Sequence, residues 1–577
     1  MRFDSKPQSR FNFKLEGWRS RFLLLFLMGW FVVLVGRDIY LQGFHANFLK
    51  QKGQERYSRV IDIPANRGII RDRNGVPLAI SVPSESILAS RENVDIDDHQ
   101  EKKLAGLLGM DVDELKQKLD EGKRNIVYLK RQVNPSVAQQ IMHLDITGLF
   151  AQRGYHRAYP KGEEVAHVIG FTNSDDMGQE GIEFAYQRFL GGRDGAERVI
   201  KDRAGHIIED EQNIRVSRPG QDITLSIDYR IQHLAYRELT RAVELHHAEA
   251  GSVIVVDSLT GEILALANCP NYDPNDRHHL SGAQLRNRAL TDSYEPGSTL
   301  KPFTIATALE LGKVTPDTVI PTTGGVMSIG PAKIHDTHRS DALTVAQVIQ
   351  HSSNVGAARI ALSLDKKDMW NTFTDVGFGL PPKLGFPGET GGKVRPYKTW
   401  RPIEQATMAY GNGISVSLTQ LAQAYTVFAN HGVLKPLSII KVNGETVGRR
   451  VFSQKTADEV KSMLEMVVQP EGTAIEAQVK GYRVAGKTGT AHKVSGRHYG
   501  NHYIASFVGF APASNPRYII GVMIDDPKGA VYYGGEVAAP VFSVLMGSVL
   551  QMNAVPPDAP GSGDFHVITK NDAAEDT

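Results

Sequence analysis

The stretch SVIVVDSLTGEILALA, residues 252–267, predicts two short strands joined by the turn SLTG. Runs of branched apolar residues on both sides of a glycine-containing turn are typical of a β-hairpin. A second hairpin is predicted much later in the chain, where ASFVGFAP (505–512) and YIIGVMID (518–525) flank ASNPR. Mostly helical sequence separates the two hairpins. This order predicts an α+β fold, in which distant segments build one antiparallel sheet and the intervening helices pack against it.

The composition is that of an ordinary globular protein, and it excludes several classes. The 577 residues are enough for two or three domains, each with its own core. A net charge of +1, from 65 basic and 64 acidic residues, gives no indication of a nucleic-acid partner. The single cysteine, Cys269, excludes an intrachain disulfide and a cysteine-rich metal site. Since no P-loop and no HExxH motif occur either, we expect neither a cofactor nor a metal ion.

Between the hairpins, residues 293–304 read SYEPGSTLKPFT and contain the pattern Ser-x-x-Lys. The pattern alone is weak, because it also occurs at Ser363/Lys366 and Ser438/Lys441. Only the first copy follows a Pro-Gly turn and opens an amphipathic run. Positions i and i+3 share one face of a helix, so the sequence predicts contact between Ser298 and Lys301 at a helix start.

A serine nucleophile needs a base, and a lysine can act as one only if its pKa falls far below about 10.4. Desolvation or a second cation would lower it, and polar groups would have to steer the proton. The chain contains one Ser-x-Asn, Ser352-Ser353-Asn354, and one Lys-Thr-Gly, at residues 487–489. The second lies in an apparent strand, where Gly489 would let a substrate backbone approach closely.

The three motifs in this order are the signature of penicillin-binding proteins and serine β-lactamases. Over nearly its whole length the chain resembles class B penicillin-binding proteins, the monofunctional peptidoglycan D,D-transpeptidases. RGIIRDRNGVPLA (67–79) and GQEGIE (178–183) look like the two signatures of that family's N-terminal pedestal. YEPGSTLKPF and AGKTGTAHK look most like the division-specific septal branch rather than the elongation branch. The resemblance implies a penicillin-binding, serine β-lactamase-like transpeptidase domain.

Residues 22–36, FLLLFLMGWFVVLVG, form an uncharged apolar run behind a basic N-terminal segment. We expect a single uncleaved transmembrane anchor at 22–41, with the N-terminus in the cytoplasm and the rest of the chain in the periplasm. A cleaved signal peptide and a buried core helix are the alternatives. Arg37 and Asp38 follow the run, and no small-x-small cleavage site does, which disfavours cleavage.

The anchor and the resemblance together predict how the chain is divided. We expect a cytoplasmic basic tail at 1–21 and a transmembrane anchor at 22–41. An extended non-catalytic α+β pedestal at 42–220 and a transpeptidase domain at 221–555 should follow, and then a disordered tail at 556–577.

The resemblance also implies catalytic roles for the motif residues. Ser298 would attack the carbonyl between the two terminal D-alanines of a stem peptide, with Lys301 as general base. Ser352 would relay the proton to the leaving amine. Asn354 would hold Lys301 and the substrate amide, and Lys487 would supply positive potential and hold Ser352.

Substrate binding is implied for further residues around the third motif. Thr488 and Thr490 would hold the substrate carboxylate, and the backbone N–H groups of Ser298 and Thr490 would form the oxyanion hole. Tyr503, Tyr532 and Tyr533 would line an acceptor or inhibitor pocket, although ordinary packing explains them equally well.

The implied partners are the D-Ala-D-Ala stem peptide, β-lactams as covalent inhibitors, a membrane-embedded septal glycan polymerase and other division proteins. The implied location is the division septum of the inner membrane. Three other functions stay open: an elongation-specific transpeptidase, a hydrolase of the D,D-carboxypeptidase or β-lactamase type, and a non-enzymatic penicillin-binding sensor or scaffold. No Glu-x-x-x-Asn that resembles a β-lactamase deacylation element follows the second motif.

Overall fold

The computed structural model describes residues 17–45, 48, 58–120, 125–201, 207–278, 280–495 and 498–559. The strands are β1 Ser58–Ile63, β2 Ile70–Arg71, β3 Pro77–Ser90, β4 Ile126–Val133, β5 Leu149–Ala158, β6 Gly195–Lys201, β7 Ile207–Arg215, β8 Ile223–Thr224, β9 Ala250–Asp257, β10 Ile263–Cys269, β11 Val319–Pro321, β12 Val326–Ile329, β13 Ala332–His335, β14 Ala342–Thr344, β15 Val433–Leu434, β16 Arg449–Arg450, β17 Ala485–Ser495, β18 His498–Ala511 and β19 Tyr518–Asp525.

The helices are α1 Gly17–Ile39, α2 Asp98–Leu108, α3 Val112–Asp120, α4 Pro135–Met142, α5 Ala166–Ile169, α6 Gly181–Ala185, α7 Gln187–Leu190, α8 Tyr229–Leu245, α9 Gly282–Leu285, α10 Arg288–Thr291, α11 Lys301–Glu310, α12 Val345–Gln350, α13 Asn354–Leu362, α14 Lys366–Asp375, α15 Pro402–Met408, α16 Leu418–Ala429, α17 Gln454–Met466, α18 Gly534–Val537 and α19 Ala539–Met552.

The chain forms two compact units. The first unit contains Met1–Pro64, Glu85–Arg153 and Asp194–Ser217, and the second contains Ala65–Ser84, Gly154–Arg193 and Arg218–Thr577. The predicted domain limits stay predictions. Most of the predicted basic tail and most of the predicted disordered tail lie outside the described residues.

The central part of helix α1, residues 22–36, is apolar on every side. The segment Gly17–Gly43 is 27 residues long, its most apolar window has a mean hydropathy of 2.0, and none of the side chains in that window is buried. A helix of this length extends about 40 Å, whereas a hydrocarbon core is about 30 Å thick. In the described part of the chain it is the one helix long and apolar enough to cross a membrane. It suggests a single-pass membrane anchor, and its exposure does not fit a buried core helix.

The first unit packs helices α2 to α4 around one small core. Helix α2 begins at a capping box made by Asp97 and Gln100, and it ends at Gly109 in the left-handed conformation. The sequence favours helix throughout residues 97–143, which is wrong for Ile126–Val133. That segment is strand β4, paired antiparallel with β3. Its β-branched residues favour a strand, and Leu129 and Val133 are buried in the same core as the helices.

The second unit is built on a five-stranded sheet in the order β10-β9-β19-β18-β17, antiparallel between all neighbours. Phe507 contacts Phe542 of α19, and its ladder partner is Val522. The adjacent Gly521 is close to Leu418 of α16. Because neighbouring residues of a strand face opposite sides, helices cover both faces of the sheet. The predicted α+β class, with one sheet assembled from distant hairpins, is confirmed.

The early segments of the second unit share the same core, since Ile70, Leu78 and Ile182 belong to one cluster with the sheet residues. The stretch PANRGIIRDRNGVPLAIS (64–81), whose Asn-Gly and Arg-Gly turns predict a β-hairpin, forms one, with Ile70 opposite Ala79. The sequence GQEGIEFAYQRFLGGRDG (178–195) predicts one helix between glycine-rich ends, whereas the structure has two short helices, α6 and α7. The sequence also predicts a helix that begins near Asp228, and α8 begins after its N-cap Asp228.

Candidate active site

The nucleophile candidate lies on a tight turn immediately before α11. Residues Gly297–Leu300 form a single 3₁₀ turn, and the α-helix begins at Lys301. Gly297 has φ = 57°, and a Cβ on Gly411 would lie 2.2 to 2.7 Å from its backbone atoms. The Tyr425 hydroxyl donates to the Thr299 carbonyl at 2.9 Å. These contacts fix the backbone on both sides of Ser298. The three motifs did not indicate Gly411 or Tyr425.

The side chain of Lys301 is fully buried, and its Nζ lies among four oxygen atoms. It is 3.0 Å from Ser298 Oγ, 3.1 Å from Ser352 Oγ and 2.8 Å from Asn354 Oδ1, and it also contacts the Ser352 carbonyl. The carbonyl and the amide oxygen can only accept hydrogen bonds. A neutral amine can donate to both and still offer its lone pair to the Ser298 hydroxyl. The geometry therefore suits a lysine that acts as a base.

Lys487 of strand β17 contacts Ser352, the serine of the second motif that also contacts Lys301. Its Nζ is 3.0 Å from Ser352 Oγ and 3.2 Å from both Thr488 Oγ1 and the Thr488 carbonyl. Ser352 Oγ thus lies between two fully buried lysines. The hydroxyl bridges the two amines, so it could pass a proton between them.

Burial controls the protonation of both lysines. It lowers the pKa of Lys487 to about 7. For Lys301, burial lowers the pKa well below its ordinary value, the positive charge of Lys487 lowers it further, and the carboxylate of Asp336 opposes the change. Desolvation and a neighbouring like charge are the two causes that the sequence argument required. Near neutral pH, Lys301 can therefore hold its nitrogen lone pair free.

The Ser-x-Asn segment connects α12 to α13 in an unusual backbone conformation. Ser352 has φ = 57°, a left-handed value that is uncommon for residues other than glycine. Ser353 caps α13 by accepting the Gly356 N–H at 2.9 Å. Asn354 Nδ2 donates to the His335 carbonyl at 2.9 Å, and its backbone N–H donates to Asp336. The motifs did not indicate His335 or Asp336, because they precede the Ser-x-Asn by many residues and no local pattern marks them.

The Lys-Thr-Gly motif lies in β17, the edge strand of the sheet. Thr488 Oγ1 is 2.9 Å from Thr473 Oγ1, and Thr490 Oγ1 accepts the Gly534 N–H at 3.0 Å. A Cβ on Gly489 would lie 2.4 Å from Ser506 Oγ and 2.9 Å from the Pro296 carbonyl. Close packing against the nucleophile turn therefore requires the glycine, whether or not a substrate approaches there.

The three predicted tyrosines form one aromatic row. The ring centroids of Tyr503 and Tyr532 are 4.1 Å apart and those of Tyr532 and Tyr533 are 4.6 Å apart, both pairs stacked. His492 of β17 extends the row at 4.6 Å from Tyr503. Tyr533 immediately precedes Gly534, the residue that donates to Thr490. The row therefore lies at the end of β17 that follows the motif.

The other two Ser-x-x-Lys copies have ordinary structural contacts. The Ser363 hydroxyl donates to the Ile360 carbonyl at 2.7 Å, at the end of α13. The Ser438 hydroxyl donates to the Ile440 carbonyl at 2.7 Å, and Lys441 Nζ donates to the Arg73 carbonyl at 2.9 Å. Only the copy at Ser298 has its lysine beside the second and third motifs.

Two family models match the chain. The penicillin binding protein transpeptidase domain matches residues 251–547, and the penicillin-binding protein dimerisation domain matches residues 62–225. The probable peptidoglycan D,D-transpeptidase PenA of Neisseria gonorrhoeae is 44% identical over 94% of this chain and 94% of its own length. The peptidoglycan D,D-transpeptidase FtsI of Escherichia coli K12 is 41% identical over 96% of this chain and 95% of its own length.

Solved structures agree with these matches. The apo TP domain of penicillin-binding protein 3 from Burkholderia pseudomallei is 49% identical, with a TM-score of 0.54, over 58% of this chain and 98% of that domain. A peptidoglycan synthetase from Bifidobacterium adolescentis is 26% identical, with a TM-score of 0.69, over 87% of this chain and 98% of that structure.

Proposed function

Because the chain belongs to the class B penicillin-binding proteins, we propose that it is a serine-type peptidoglycan D,D-transpeptidase that cross-links stem peptides during cell division. One observation carries the proposal: the Ser298 hydroxyl lies 3.0 Å from the buried amine of Lys301, whose pKa is lowered by burial and by Lys487. A serine next to a neutral lysine is an activated nucleophile.

In the first half-reaction, neutral Lys301 takes the proton of the Ser298 hydroxyl. Ser298 Oγ then attacks the carbonyl carbon between the two terminal D-alanines of the donor peptide. The tetrahedral intermediate collapses, the peptide C–N bond breaks, and an ester to Ser298 forms. Ser352, which lies within 3.1 Å of both lysine amines, passes the proton to the departing D-alanine amine. Proton transfer by positioned groups of this kind contributes about 10² to 10⁴ in rate.

Strand β17 supplies the binding contacts. As an edge strand it has one unpaired side, along which an extended peptide can add backbone hydrogen bonds. The Thr488 and Thr490 hydroxyls hold the terminal carboxylate of the donor peptide. The backbone N–H groups of Ser298 and Thr490 stabilise the oxyanion, a contribution worth about 3 kcal/mol for a single donor. Tyr503, Tyr532 and Tyr533 form an aromatic wall beside this strand.

In the second half-reaction, the side-chain amine of a neighbouring stem peptide attacks the acyl ester. Ser352 passes the proton of this amine to neutral Lys301 as the new amide bond forms, the ester bond to Ser298 breaks, and the Ser298 oxygen regains that proton from Lys301. No net consumption of ATP or of another co-reactant is needed, because the energy of the broken peptide bond is kept in the ester. β-Lactams acylate Ser298 by the same attack on a strained amide.

Fluorescent penicillin tests the site assignment. Wild type and Ser363→Ala should be labelled covalently, while Ser298→Ala should not, because Ser363 has the same Ser-x-x-Lys spacing but a structural contact. Labelling that survives in Ser298→Ala would overturn the assignment. A labelled adduct that turns over within seconds would favour a β-lactamase. Release of D-alanine without dimeric peptide product, with both donor and acceptor present, would favour a carboxypeptidase.

The place of action follows from the anchor and from local resemblance. The basic residues before α1 favour a cytoplasmic N-terminus and a periplasmic catalytic domain. The septal role rests on the likeness of YEPGSTLKPF and AGKTGTAHK to the division branch, and it implies a membrane-embedded glycan polymerase and other division proteins as partners. A periplasm-dependent reporter fused after about residue 60 should be active. Depletion should produce filaments; rounded cells would instead indicate an elongation enzyme.

A further inference from the structure

Asp336 follows strand β13 directly and accepts three hydrogen bonds, two from the Ser-x-Asn segment and one from the next residue, Val355. Its Oδ1 receives the backbone N–H groups of Asn354 and Val355, the latter at 2.9 Å. Its Oδ2 receives the Ser353 hydroxyl at 2.6 Å. The first N–H groups of a helix have no partner within the helix, and a carboxylate there is the strongest acceptor that a side chain offers. Asp336 therefore fixes the start of α13.

The neighbouring carbonyl determines which way the Asn354 amide points. Asn354 Nδ2 donates to the His335 carbonyl at 2.9 Å, which only the amino side of the amide can do. The opposite side, Oδ1, must then face Lys301 Nζ, from which it is 2.8 Å away. His335 and Asp336 thus hold Asn354 by both its side chain and its backbone, in the orientation that a lysine donor needs.

The same contacts constrain Ser352. Its left-handed backbone turns both its carbonyl and its hydroxyl toward Lys301 Nζ. Such a conformation persists only where surrounding structure over-determines it. Ser353 and Asn354 follow directly, and Asp336 holds both. Asp336 itself is fixed by its backbone N–H, which donates to the Gly325 carbonyl at 2.9 Å.

The negative charge of Asp336 also acts on Lys301. Among the described residues it is the acidic group that raises the pKa of Lys301, against burial and the charge of Lys487. The other charged or titratable groups on the elements around Asp336 and the Ser-x-Asn segment are Lys301, Lys487, His351, Arg359, Lys333, His335, His338, Arg339 and Asp341. Since most of these groups are cationic or neutral, Asp336 supplies the negative potential next to the Ser-x-Asn segment.

We infer that Asp336 is a positioning residue for acylation: together with the His335 carbonyl it holds Ser352 and Asn354 in the arrangement that presents their oxygens to Lys301. This inference rests on the proposed function. It assigns a catalytic consequence to a hairpin, β12–β13, that contains none of the three motifs. Asp336 does not touch the nucleophile, so it acts only through Ser352, Asn354 and the field at Lys301.

Three variants separate its two effects. Asp336→Asn keeps an oxygen that accepts both backbone N–H groups but removes the charge. Asp336→Ala removes both the acceptor and the charge. Asp365→Ala is the matched control, because Asp365 caps α14 by accepting the Lys367 N–H at 2.8 Å and has no contact with the motif residues in the described structure. The measurement is the second-order rate of acylation of the full chain by fluorescent penicillin from pH 5 to 10, together with the melting temperature.

Loss of the carboxylate lowers the pKa of Lys301, so the acid limb of the profile should move to lower pH in both Asp336 variants. The plateau should fall only a few-fold in Asp336→Asn but about tenfold to a hundredfold in Asp336→Ala, since small displacements of catalytic groups are costly. Asp365→Ala should lower the melting temperature and leave the profile unchanged.

A plateau in Asp336→Ala that matches wild type would overturn the inference, and so would a plateau loss in Asp365→Ala equal to that in Asp336→Ala. Should Asp336→Ala not fold, Asp336→Asn decides: a profile that matches wild type in both limb and plateau would overturn the inference. Failure of the proposed function gives a different pattern: wild type would not be acylated, or Ser298→Ala would be.

Discussion

Arg67 and Arg157 are as deeply buried as Lys301 and Lys487, with 0 to 2% of each residue exposed. All four lie in the second unit. The two guanidinium groups share one carboxylate, whereas the two amines share one serine hydroxyl. Comparison of these two clusters shows what burial does to charge when a counter-ion is present and when it is absent.

In the arginine cluster both guanidinium groups make direct hydrogen bonds to a carboxylate, although two positive charges share one negative charge. Glu183 accepts Arg67 Nε at 2.6 Å on one oxygen and Arg157 Nε at 2.7 Å on the other. The remaining guanidinium nitrogens donate to the carbonyls of Asp176, Glu183 and Gly68 and to Ser81 Oγ. Arginine cannot lose its proton inside a protein, so neither guanidinium group can act as a base. The cluster joins the segments 65–84 and 154–193, and its consequence is structural.

In the lysine cluster the hydrogen-bond partners of both amines, among the described residues, are hydroxyl, carbonyl and amide oxygens. Without a carboxylate in contact, the charged forms are poorly stabilised and the pKa values of both lysines fall. Unlike arginine, lysine can then become neutral and act as a base. Burial of a similar degree therefore gives permanently charged, structural side chains around Glu183 and a neutral base beside Ser298. Substitutions that add or remove a charge in either cluster test this contrast.

The largest effect is expected at the base itself. Lys301→Met removes the amine and Lys301→Arg keeps a permanent cation, so both should lower the acylation rate by about 10² to 10⁴. The measurement is single-turnover acylation by fluorescent penicillin. In both variants the affinity for a non-covalent substrate analogue should fall much less than the acylation rate, because the lost step is proton abstraction.

The two Lys301 variants should differ in stability. The folded-state pKa of Lys301 is depressed, so below its unfolded value of about 10.4 the unfolded chain binds more protons, and stability is lost as pH falls toward the folded value. Lys301→Met removes this cost and should raise the melting temperature at pH 7, while Lys301→Arg should lower it. Near wild-type acylation by Lys301→Arg would contradict a role for the neutral amine.

The second largest effect is expected at Glu183. Glu183→Gln leaves two buried guanidinium groups without a counter-charge, and breaking a buried pair in this way costs about 3 to 5 kcal/mol. Denaturant unfolding should show this loss. Asp375→Asn is the control, because Asp375 pairs with Arg449 at 3.0 Å with about half of each side chain exposed, and such a pair contributes at most about 1 kcal/mol. An equal loss of unfolding free energy in both variants would mean that Glu183 contributes no more to stability than an exposed ion pair does.

A smaller effect is expected at Lys487. Its charge lowers the pKa of Lys301, so Lys487→Gln should raise that pKa and move the acid limb of acylation to higher pH. Lys487→Arg, which keeps the charge at all pH values, should not produce this upward movement. The direction is opposite to the one expected for Asp336→Asn. A limb that moves to lower pH in Lys487→Gln would show that the second lysine is not the cation acting on the first.

The lysine cluster was predictable from sequence to a degree that the arginine cluster was not. The need for a lowered lysine pKa led from Lys301 to Lys487, and the structure brings both within reach of Ser352. The hairpins at 252–267 and 505–525 likewise predicted the sheet, from runs of branched apolar residues on both sides of a turn. Arg67 and Glu183, by contrast, are 116 positions apart, and only the folded chain shows their contact. The contacts of Asp336 and Gly411 could not be predicted either. They join residues that are distant in the sequence, and no local pattern marks such a contact. The helix prediction for residues 97–143 fails at β4, because the β-branched residues of Ile126–Val133 favour a strand and the segment pairs with β3.

The smallest effect is expected at Asp176, beside the arginine cluster. Burial raises the pKa of Asp176 to about 6, although Arg67 and Arg157 act to lower it. Because the folded value exceeds the unfolded one, this group favours the folded state below about pH 4, and that contribution is lost as pH rises through about 6. Asp176→Asn should therefore stabilise the protein by about 1 kcal/mol at pH 7.5 and leave it unchanged below about pH 4. Asparagine also tolerates the left-handed φ of 58° at this position.

Parallel unfolding of wild type and Asp176→Asn at pH 4 and pH 7.5 measures the difference between them. Destabilisation at pH 7.5 would mean that attraction to the two arginines outweighs the cost of burial, and that Asp176 is a second counter-ion of the cluster. Stabilisation at pH 7.5 but not at pH 4 would mean that the two guanidinium groups need no second carboxylate. Glu183 and the carbonyl groups that they contact would then be sufficient partners. At Asp176, as at Lys301, a nearby opposite charge then acts against the pKa shift that burial causes without cancelling it.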